Sequence, residues 1–287
     1  MHNKQVLVMG AVAYAPKVVT IWDGFKEYFS KNGLPFDYVL YSNYERQVEA
    51  MFEGGIHVAW NSPLAWIRAQ RMAKARGLPM EAIVMRDTDC DLTSVVVVKS
   101  NSQIKTAKDL KGKRVAVGAI DSPQATLIPL EVLRQQGVVP HTDFSVLRFD
   151  VLGGKHGDHI GGERDAARAL MEGQADAACM IDGNHLAFIT EGTLPAGQTR
   201  VLLQTPAFDH CNFSVSPGAP ADLIAQFKRM LLAMSYADAE IRPLLDLEGL
   251  KAWRTGRTEG YKLLDEAVNE TNFYDADGNI TIAGYRY

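Results

Sequence analysis

The chain has 287 residues, of which 47% are apolar and 22% charged, a composition that allows a large core in one or two domains. Its formal net charge of −4 gives no electrostatic reason to expect nucleic acid as a partner. No apolar run approaches the about 18 residues that a membrane-spanning helix needs. Three widely separated cysteines, Cys90, Cys179 and Cys211, argue against a disulfide framework and favour a reducing compartment.

The N-terminus has no basic segment followed by an apolar one, so the chain as given is predicted to be cytoplasmic. The alternative is a periplasmic or extracellular protein from which an export signal has been removed.

The first hundred residues alternate between strand and helix patterns. Residues 5–11 and 36–41 are predicted strands on either side of a helix over residues 17–32. A further helix leads into a strand at residues 56–60, and the polar turn Asn61-Ser62-Pro63 begins the next helix. The alternation predicts an α/β fold with mostly parallel sheets.

The middle of the chain continues this alternation. Residues 93–99 form a β-branched run that is apolar on both faces, which predicts a central strand. The strand at residues 114–118 is followed by the loop Asp121-Ser122-Pro123-Gln124-Ala125-Thr126 and a helix. Residues 152–162 hold five glycines in eleven positions and are predicted to be a mobile loop. From residue 220 onwards the pattern is mostly helical.

One stretch of the chain occurs twice, 119 positions apart. Residues 49–59 read E-A-M-F-E-G-G-I-H-V-A, and residues 168–178 read R-A-L-M-E-G-Q-A-D-A-A. Each copy is the end of a helix, a glycine that favours the left-handed C-cap, and a short strand. The repeat indicates two similar lobes, and coincidence is the alternative because helix–Gly–strand is common in α/β proteins. A ligand is expected at the polar turns that follow the two strands.

These residues also carry a family resemblance. Residues 44–63 (Y-E-R-Q-V-E-A-M-F-E-G-G-I-H-V-A-W-N-S-P), residues 104–122 (I-K-T-A-K-D-L-K-G-K-R-V-A-V-G-A-I-D-S) and the second repeat resemble the phosphonate/phosphite-type substrate-binding proteins of ABC importers. Those proteins belong to the type II periplasmic-binding-protein superfamily. The resemblance implies two α/β lobes joined by two crossing strands, with a ligand cleft that closes on binding. Lobe 1 is then residues 1–91 plus 216–287, and lobe 2 is residues 92–215.

The resemblance also implies a set of ligand-binding positions. Those carried over from the family pattern are Tyr14, Asn61, Ser62, Ser122, Thr126 and Asp182, and further candidates at strand ends and loops are Thr93, His156, His159, His185 and His210. The family has a run of Ser and Thr where this chain has Asp121-Ser122-Pro123. Pro123 removes a backbone donor and Asp121 adds negative charge, so a larger, less anionic organic ligand is the alternative to an oxyanion.

The histidines admit several interpretations. His156, His159 and His210 are residue types that hold a transition metal, although their spacing matches no established zinc motif and no other cofactor is predicted. They could instead contact the ligand directly. The third interpretation is structural: a solvated loop around His156 and His159, and cysteines packed as small buried groups.

Two functions follow from these patterns. The first is a binding protein that closes on a small ligand and delivers it to an ABC permease or a sensor. The second is a cytosolic enzyme on the same fold, with His210, Cys211 and His185 as candidate acid–base or nucleophilic groups.

Overall fold

The computed structural model describes residues 5–158 and 160–287, so the predictions for His159 lie outside the described residues. Strands in this part of the chain are β1 (Leu7–Val12), β2 (Phe36–Tyr41), β3 (Val58–Asn61), β4 (Glu81–Arg86), β5 (Ser94–Lys99), β6 (Arg114–Val117), β7 (Ser145–Arg148), β8 (Ala177–Ile181), β9 (Thr199–Gln204), β10 (Asn212–Val215) and β11 (Trp253–Thr255). Helices are α1 (Lys17–Lys31), α2 (Tyr44–Glu53), α3 (Pro63–Ala75), α4 (Ile128–Gln135), α5 (Gly161–Met171), α6 (Asp182–Thr190), α7 (Ala221–Ala233), α8 (Arg242–Glu248) and α9 (Lys262–Glu270). None of these helices combines the length and apolar character required to cross a bilayer.

The chain packs into two compact units. Unit 1 contains residues 1–90, 209–261 and 274–280, and unit 2 contains residues 91–208, 262–273 and 281–287. The C-terminal residues are divided between the units because α9 packs on α4 in unit 2, whereas α7 and α8 pack in unit 1. The lobe boundaries that the resemblance implies stay a prediction. The packing units differ from them at residues 209–215, which belong to unit 1, and in this C-terminal part.

Unit 1 is built on a mixed sheet with the strand order β11-β4-β10-β3-β1-β2. The strand β1 pairs in parallel with β2 and β3, as expected for strands connected through helices. The late strand β10 is inserted antiparallel between β3 and β4. Its central residue Phe213 is fully buried and contacts the rings of Trp22, Trp60 and Trp253. This aromatic cluster, which includes Trp60, fills the core of unit 1.

Unit 2 has a second mixed sheet with the order β7-β6-β8-β5-β9. Strand β6 is parallel to β7 and β8, while β5 is antiparallel to β8 and β9. The prediction that residues 93–99 form a central strand is confirmed, since Val95–Val98 are buried and β5 has a neighbour on each side. The α/β class with mixed sheets flanked by helices is likewise confirmed. The expectation of mostly parallel sheets was wrong, because four of the nine pairings among the described strands are parallel and five are antiparallel.

The repeated helix–Gly–strand unit occurs once in each packing unit. Gly54 is the C-cap of α2 with φ +78°, and Gly173 has the same φ just after α5. The sequence-based prediction for these glycines is therefore confirmed. The mostly helical pattern predicted from residue 220 onwards did not include β11, which has three residues and pairs antiparallel with β4. A strand this short shows no period-two pattern, so only its pairing reveals it.

The aromatic core of unit 1 provides a test of the fold. Replacing the buried ring in Phe213→Ala should lower the free energy of unfolding by about 3–5 kcal/mol, because it leaves a cavity among three tryptophans. Urea unfolding followed by tryptophan fluorescence reports on unit 1 specifically, since all four tryptophans lie there. The control Leu247→Ala, on the exposed face of α8, should change the free energy of unfolding by less than about 0.5 kcal/mol. Equal effects of the two substitutions would contradict this packing.

Candidate functional site

The strand β6 of unit 2 leads into a polar turn, residues 121–126, named here the Ser122 turn. Pro123–Leu127 form a single π-helical turn ahead of α4, and the Ser122 Oγ accepts the Ala125 N–H at 3.2 Å. The missing N–H of Pro123 removes no helical hydrogen bond, because the first N–H groups of a helix have no partner within it. The turn therefore presents the electropositive start of a helix, which favours negatively charged groups.

The glycine-rich loop, residues 152–158, is bound to this turn through Asp121. The Asp121 Oδ2 accepts the backbone N–H groups of Gly154 at 2.7 Å and His156 at 3.3 Å, and the hydroxyl of Tyr285 at 3.2 Å. His156 is fully buried and has φ +50°. The interpretation of His156 as part of a solvated loop was wrong, because this residue is buried, and the predicted mobility of the loop stays a prediction.

Gly157 of the glycine-rich loop lies directly against the Ser122 turn. Its carbonyl accepts the Gln124 Nε2 at 2.8 Å. Its φ is +77°, and a Cβ built on it would overlap the Ser122 Oγ. Only glycine fits here, for both conformational and steric reasons. The predicted site residues Ser122 and His156 are thus brought into one hydrogen-bonded assembly.

A buried carboxylate that the sequence did not single out completes this assembly. Glu163, in the first turn of α5, is 2% exposed and accepts the Ile181 N–H at 3.0 Å and the Asn184 Nδ2 at 2.8 Å. The Gln124 Nε2 lies 3.3 Å from its other oxygen. Burial, with a smaller effect of Glu163, raises the pKa of Cys179 to about 12. The one sequence signal for Glu163 was an acidic residue at a helix start, which normally indicates a surface position.

Two further candidates of unit 2 meet at the end of β8. The Thr93 hydroxyl donates to the Asp182 Oδ2 at 2.7 Å and accepts the Gln204 Nε2 at 2.8 Å. His185, on α6, has its Nε2 3.4 Å from the Thr199 Oγ1, and burial lowers its pKa. Thr93 and Asp182 therefore form a pair, whereas His185 contacts a neighbouring strand.

Thr126 has a different environment from Ser122. Its side chain is 3% exposed, and its Oγ1 has no hydrogen-bond partner among the described residues. It borders a cavity of about 280 Å³ in unit 2, whose other walls come mainly from α4, α9 and β7.

The candidate residues of unit 1 at the end of β3 make contacts with other residues of the same unit. Asn61 is fully buried, with its Oδ1 accepting from Gln47 at 2.8 Å and its Nδ2 3.4 Å from the Met51 Sδ. Ser62 is the N-cap of α3 and accepts the Ala65 N–H at 3.1 Å. Tyr14 is half-buried between β1 and α1, with the Lys17 ammonium 5.7 Å from its ring centre.

The last two candidates, His210 and Cys211, lie side by side in unit 1. The His210 Nδ1 is 3.1 Å from the Cys211 Sγ and 3.5 Å from the Asp89 Oδ1. Burial alone would raise the pKa of Asp89, but the charge of Arg86 and hydrogen bonds from Arg86 and His210 bring it to about 2. The sequence marked Asp89 only as one residue of a polar run, because its partners lie about 120 positions away.

This geometry differs from a nucleophile–base–acid relay. In such a relay the histidine uses one ring nitrogen for the nucleophile and the other for the carboxylate. Here the same Nδ1 faces both Cys211 and Asp89, and His185 belongs to the other unit. This arrangement provides no support for the enzyme alternative.

The fold is shared with solved binding proteins. PhnD1 from Prochlorococcus marinus (MIT 9301), in complex with methylphosphonate, matches with a TM-score of 0.68 at 20% identity, over 94% of this chain and 99% of that one. A binding protein component of an ABC phosphonate transporter from Pseudomonas aeruginosa matches with a TM-score of 0.63 at 15% identity, over 97% and 90% of the two chains. The Escherichia coli aliphatic sulphonate binding protein SsuA matches with a TM-score of 0.55 at 19% identity, over 92% of this chain and 83% of that one. At these identities the likeness defines the fold class, a type II periplasmic binding protein.

The family is defined by a separate comparison. Residues 9–261 match the model of the family described as "ABC transporter, phosphonate, periplasmic substrate-binding protein". The chain belongs to this family of substrate-binding proteins. The resemblance seen in the sequence is therefore confirmed, together with the role of a small-molecule-binding component.

The packing of Gly157 on Ser122 gives a test of the assembly in unit 2. Gly157→Ala should destabilise the protein by about 1–3 kcal/mol or displace the loop, because it adds both a left-handed strain and an overlap with Ser122. The control Gly192→Ala carries the same strain at φ +86° with nothing within 4 Å of the new Cβ. Calorimetric unfolding of the two variants isolates the contribution of the overlap. If Gly192→Ala proved as destabilising as Gly157→Ala, the close contact with Ser122 would be refuted.

Proposed function

We propose that this chain is the substrate-binding component of an ABC importer, and that its ligand carries an oxyanion group bound at the Ser122 turn of unit 2. The family description supports the importer and the phosphonate class of ligand. The permease is then the protein partner, and the periplasm the site of action. Fractionation of cells that express the native gene tests the location, and recovery in the cytoplasm would contradict it.

The observation that carries the oxyanion proposal is the environment of Asp121. In the sequence this carboxylate argued against an anionic ligand, because it adds negative charge beside the helix start. In the structure its Oδ2 is used by two backbone N–H groups of the glycine-rich loop and by the Tyr285 hydroxyl. These donors point the positive ends of their dipoles at the carboxylate, which offsets part of its repulsion of a nearby anion. Asp121 therefore anchors the loop and leaves the start of the helix suited to an oxyanion.

Two further polar groups belong to the surroundings of the Ser122 turn. The Gln124 side-chain amide lies between the glycine-rich loop and Glu163, and the loop carries Lys155, whose pKa is lowered by burial. A lysine ammonium that is partly desolvated interacts more strongly with an anion than one in bulk water. Lys155 and the start of the helix favour an anion, whereas the buried carboxylates Asp121 and Glu163 oppose it.

A ligand panel tests the proposal. Methylphosphonate, methanesulfonate and inorganic phosphate are compared with the uncharged diester of methylphosphonate, and the midpoint of thermal unfolding is measured for each. A ligand at 100 times its dissociation constant adds about 2.7 kcal/mol of stability. We expect at least one oxyanion to raise the midpoint and the diester to have no effect. Stabilisation by uncharged compounds alone would contradict the oxyanion class.

The site is tested by Ser122→Ala. The loss of one hydrogen bond to a charged group, about 1.5–3 kcal/mol, should weaken oxyanion binding at least tenfold in calorimetric titration. The same substitution removes the N-cap and should lower stability by about 1 kcal/mol, so binding is measured well below the unfolding midpoint. The control Ser145→Ala, at an exposed position of β7, should bind normally. Unchanged affinity in Ser122→Ala would move the site away from this turn.

A further inference from the structure

Three metal-ligating side chains meet in the interior of unit 1. Asp89 is 1% exposed, His210 8% and Cys211 2%, and one ligand atom of each lies within 4.8 Å of the other two. They combine a carboxylate, an imidazole and a thiol, which are the three kinds of protein ligand that zinc takes. This set, the Asp89–His210–Cys211 cluster, is separate from the Ser122 turn in unit 2.

The spacing of the cluster suits a single ion. Bonds of about 2.0–2.3 Å in a tetrahedral zinc site place neighbouring ligand atoms about 3.3–3.6 Å apart. The His210 Nδ1 is 3.1 Å from the Cys211 Sγ and 3.5 Å from the Asp89 Oδ1. The third pair, the Asp89 carboxylate oxygen and the Cys211 Sγ, lies within 4.8 Å. Side-chain movements of up to about 1 Å would therefore close the three groups around an ion at the nitrogen that already faces both others.

The surrounding hydrogen bonds hold these side chains in position. The backbone N–H of His210 donates to the Asp89 carbonyl at 2.8 Å, which places the two residues opposite each other on neighbouring segments. Arg86 donates from Nε and a terminal nitrogen to the two Asp89 oxygens at 2.5 and 2.9 Å. The Tyr261 hydroxyl donates to the His210 carbonyl at 2.8 Å. Fixed outer partners of this kind orient ligands and raise metal affinity.

The charges around the cluster also favour a cation. Arg86 is shared between two buried carboxylates, Asp89 and Glu248, so this group has one more negative than positive charge. Asp209, next to His210, is separately neutralised by Arg257 at 2.6 Å. A divalent ion bound with deprotonation of the thiol adds one net positive charge and brings the buried group to neutrality. Burying a balanced group costs far less than burying an uncompensated charge.

We propose that the Asp89–His210–Cys211 cluster binds one divalent transition-metal ion of the zinc type, with a fourth position left for water or an exogenous ligand. A thiolate with an imidazole selects zinc, cobalt or iron over magnesium and calcium, which prefer oxygen ligands. The proposal does not depend on the oxyanion site, which uses other residues in the other unit.

Metal titration of the whole chain tests the proposal. The protein is treated with chelator under reducing conditions, then titrated with Zn²⁺ by calorimetry and with Co²⁺ by absorption spectroscopy. We expect one equivalent of each ion to bind, and Co²⁺ to produce the thiolate-to-metal charge-transfer band that shows sulfur ligation. Mg²⁺ should not compete. Absence of stoichiometric binding, or a Co²⁺ complex without that band, would overturn the proposal.

Substitutions identify the ligands. Cys211→Ser should abolish the charge-transfer band and weaken Zn²⁺ binding at least 100-fold. His210→Gln should weaken Zn²⁺ binding by a similar factor, and it provides a second measurement if one of the two variants fails to fold. Cys179→Ser, a buried thiol of unit 2, and Cys90→Ser, whose thiol donates to the Arg86 carbonyl at 3.4 Å, are matched controls that should bind normally. Binding that persists in both cluster variants, or is lost in a folded Cys90→Ser or Cys179→Ser protein, would place the metal elsewhere.

Discussion

Unit 1 depends on the insertion of β10 between β3 and β4. Residues 209–261 return to this unit after residues 91–208, which belong to unit 2, and β10 pairs with strands from the first third of the chain. Without it, the hydrogen-bonding edges of β3 and β4 would be unpaired and the three tryptophans around Phe213 would lose their central partner. The same return of the chain places His210 and Cys211 beside Asp89. One strand insertion thus builds both the aromatic core and the Asp89–His210–Cys211 cluster.

A single carboxylate has the corresponding role in unit 2. Asp121 accepts hydrogen bonds from residues 33 and 35 positions later and from Tyr285 near the C-terminus. These contacts convert a stretch rich in glycine into an ordered loop that lies on the start of a helix. Its negative charge, which by itself disfavours an anionic ligand, is used to hold the loop. The proposed oxyanion ligand rests on family membership together with this local geometry.

Local patterns predicted most of the elements, and the failures have identifiable causes. The repeated helix–Gly–strand was recognised because a helix end often requires a left-handed φ, which glycine adopts most easily. Gly54 and Gly173 both have this conformation. The strand β11 was missed because three residues carry no periodicity. One of the three interpretations of His156, a solvated loop, was wrong because glycine-rich segments are usually exposed, whereas this residue is buried and its N–H donates to Asp121, 35 residues away.

The sequence by itself determined the α/β class, the two similar halves and the family resemblance, since these depend on residue periodicity and on short motifs within contiguous segments. It also identified Ser122, Asp182, His210 and Cys211 as residues of chemical interest. The tertiary structure alone decided their partners: Asp121 with the glycine-rich loop, Thr93 with Asp182, and Asp89 with His210 and Cys211. Those partners are 30 to about 120 positions apart, so their contacts depend on strand pairing and burial. No local pattern in the sequence encodes which distant side chains will share a buried charge.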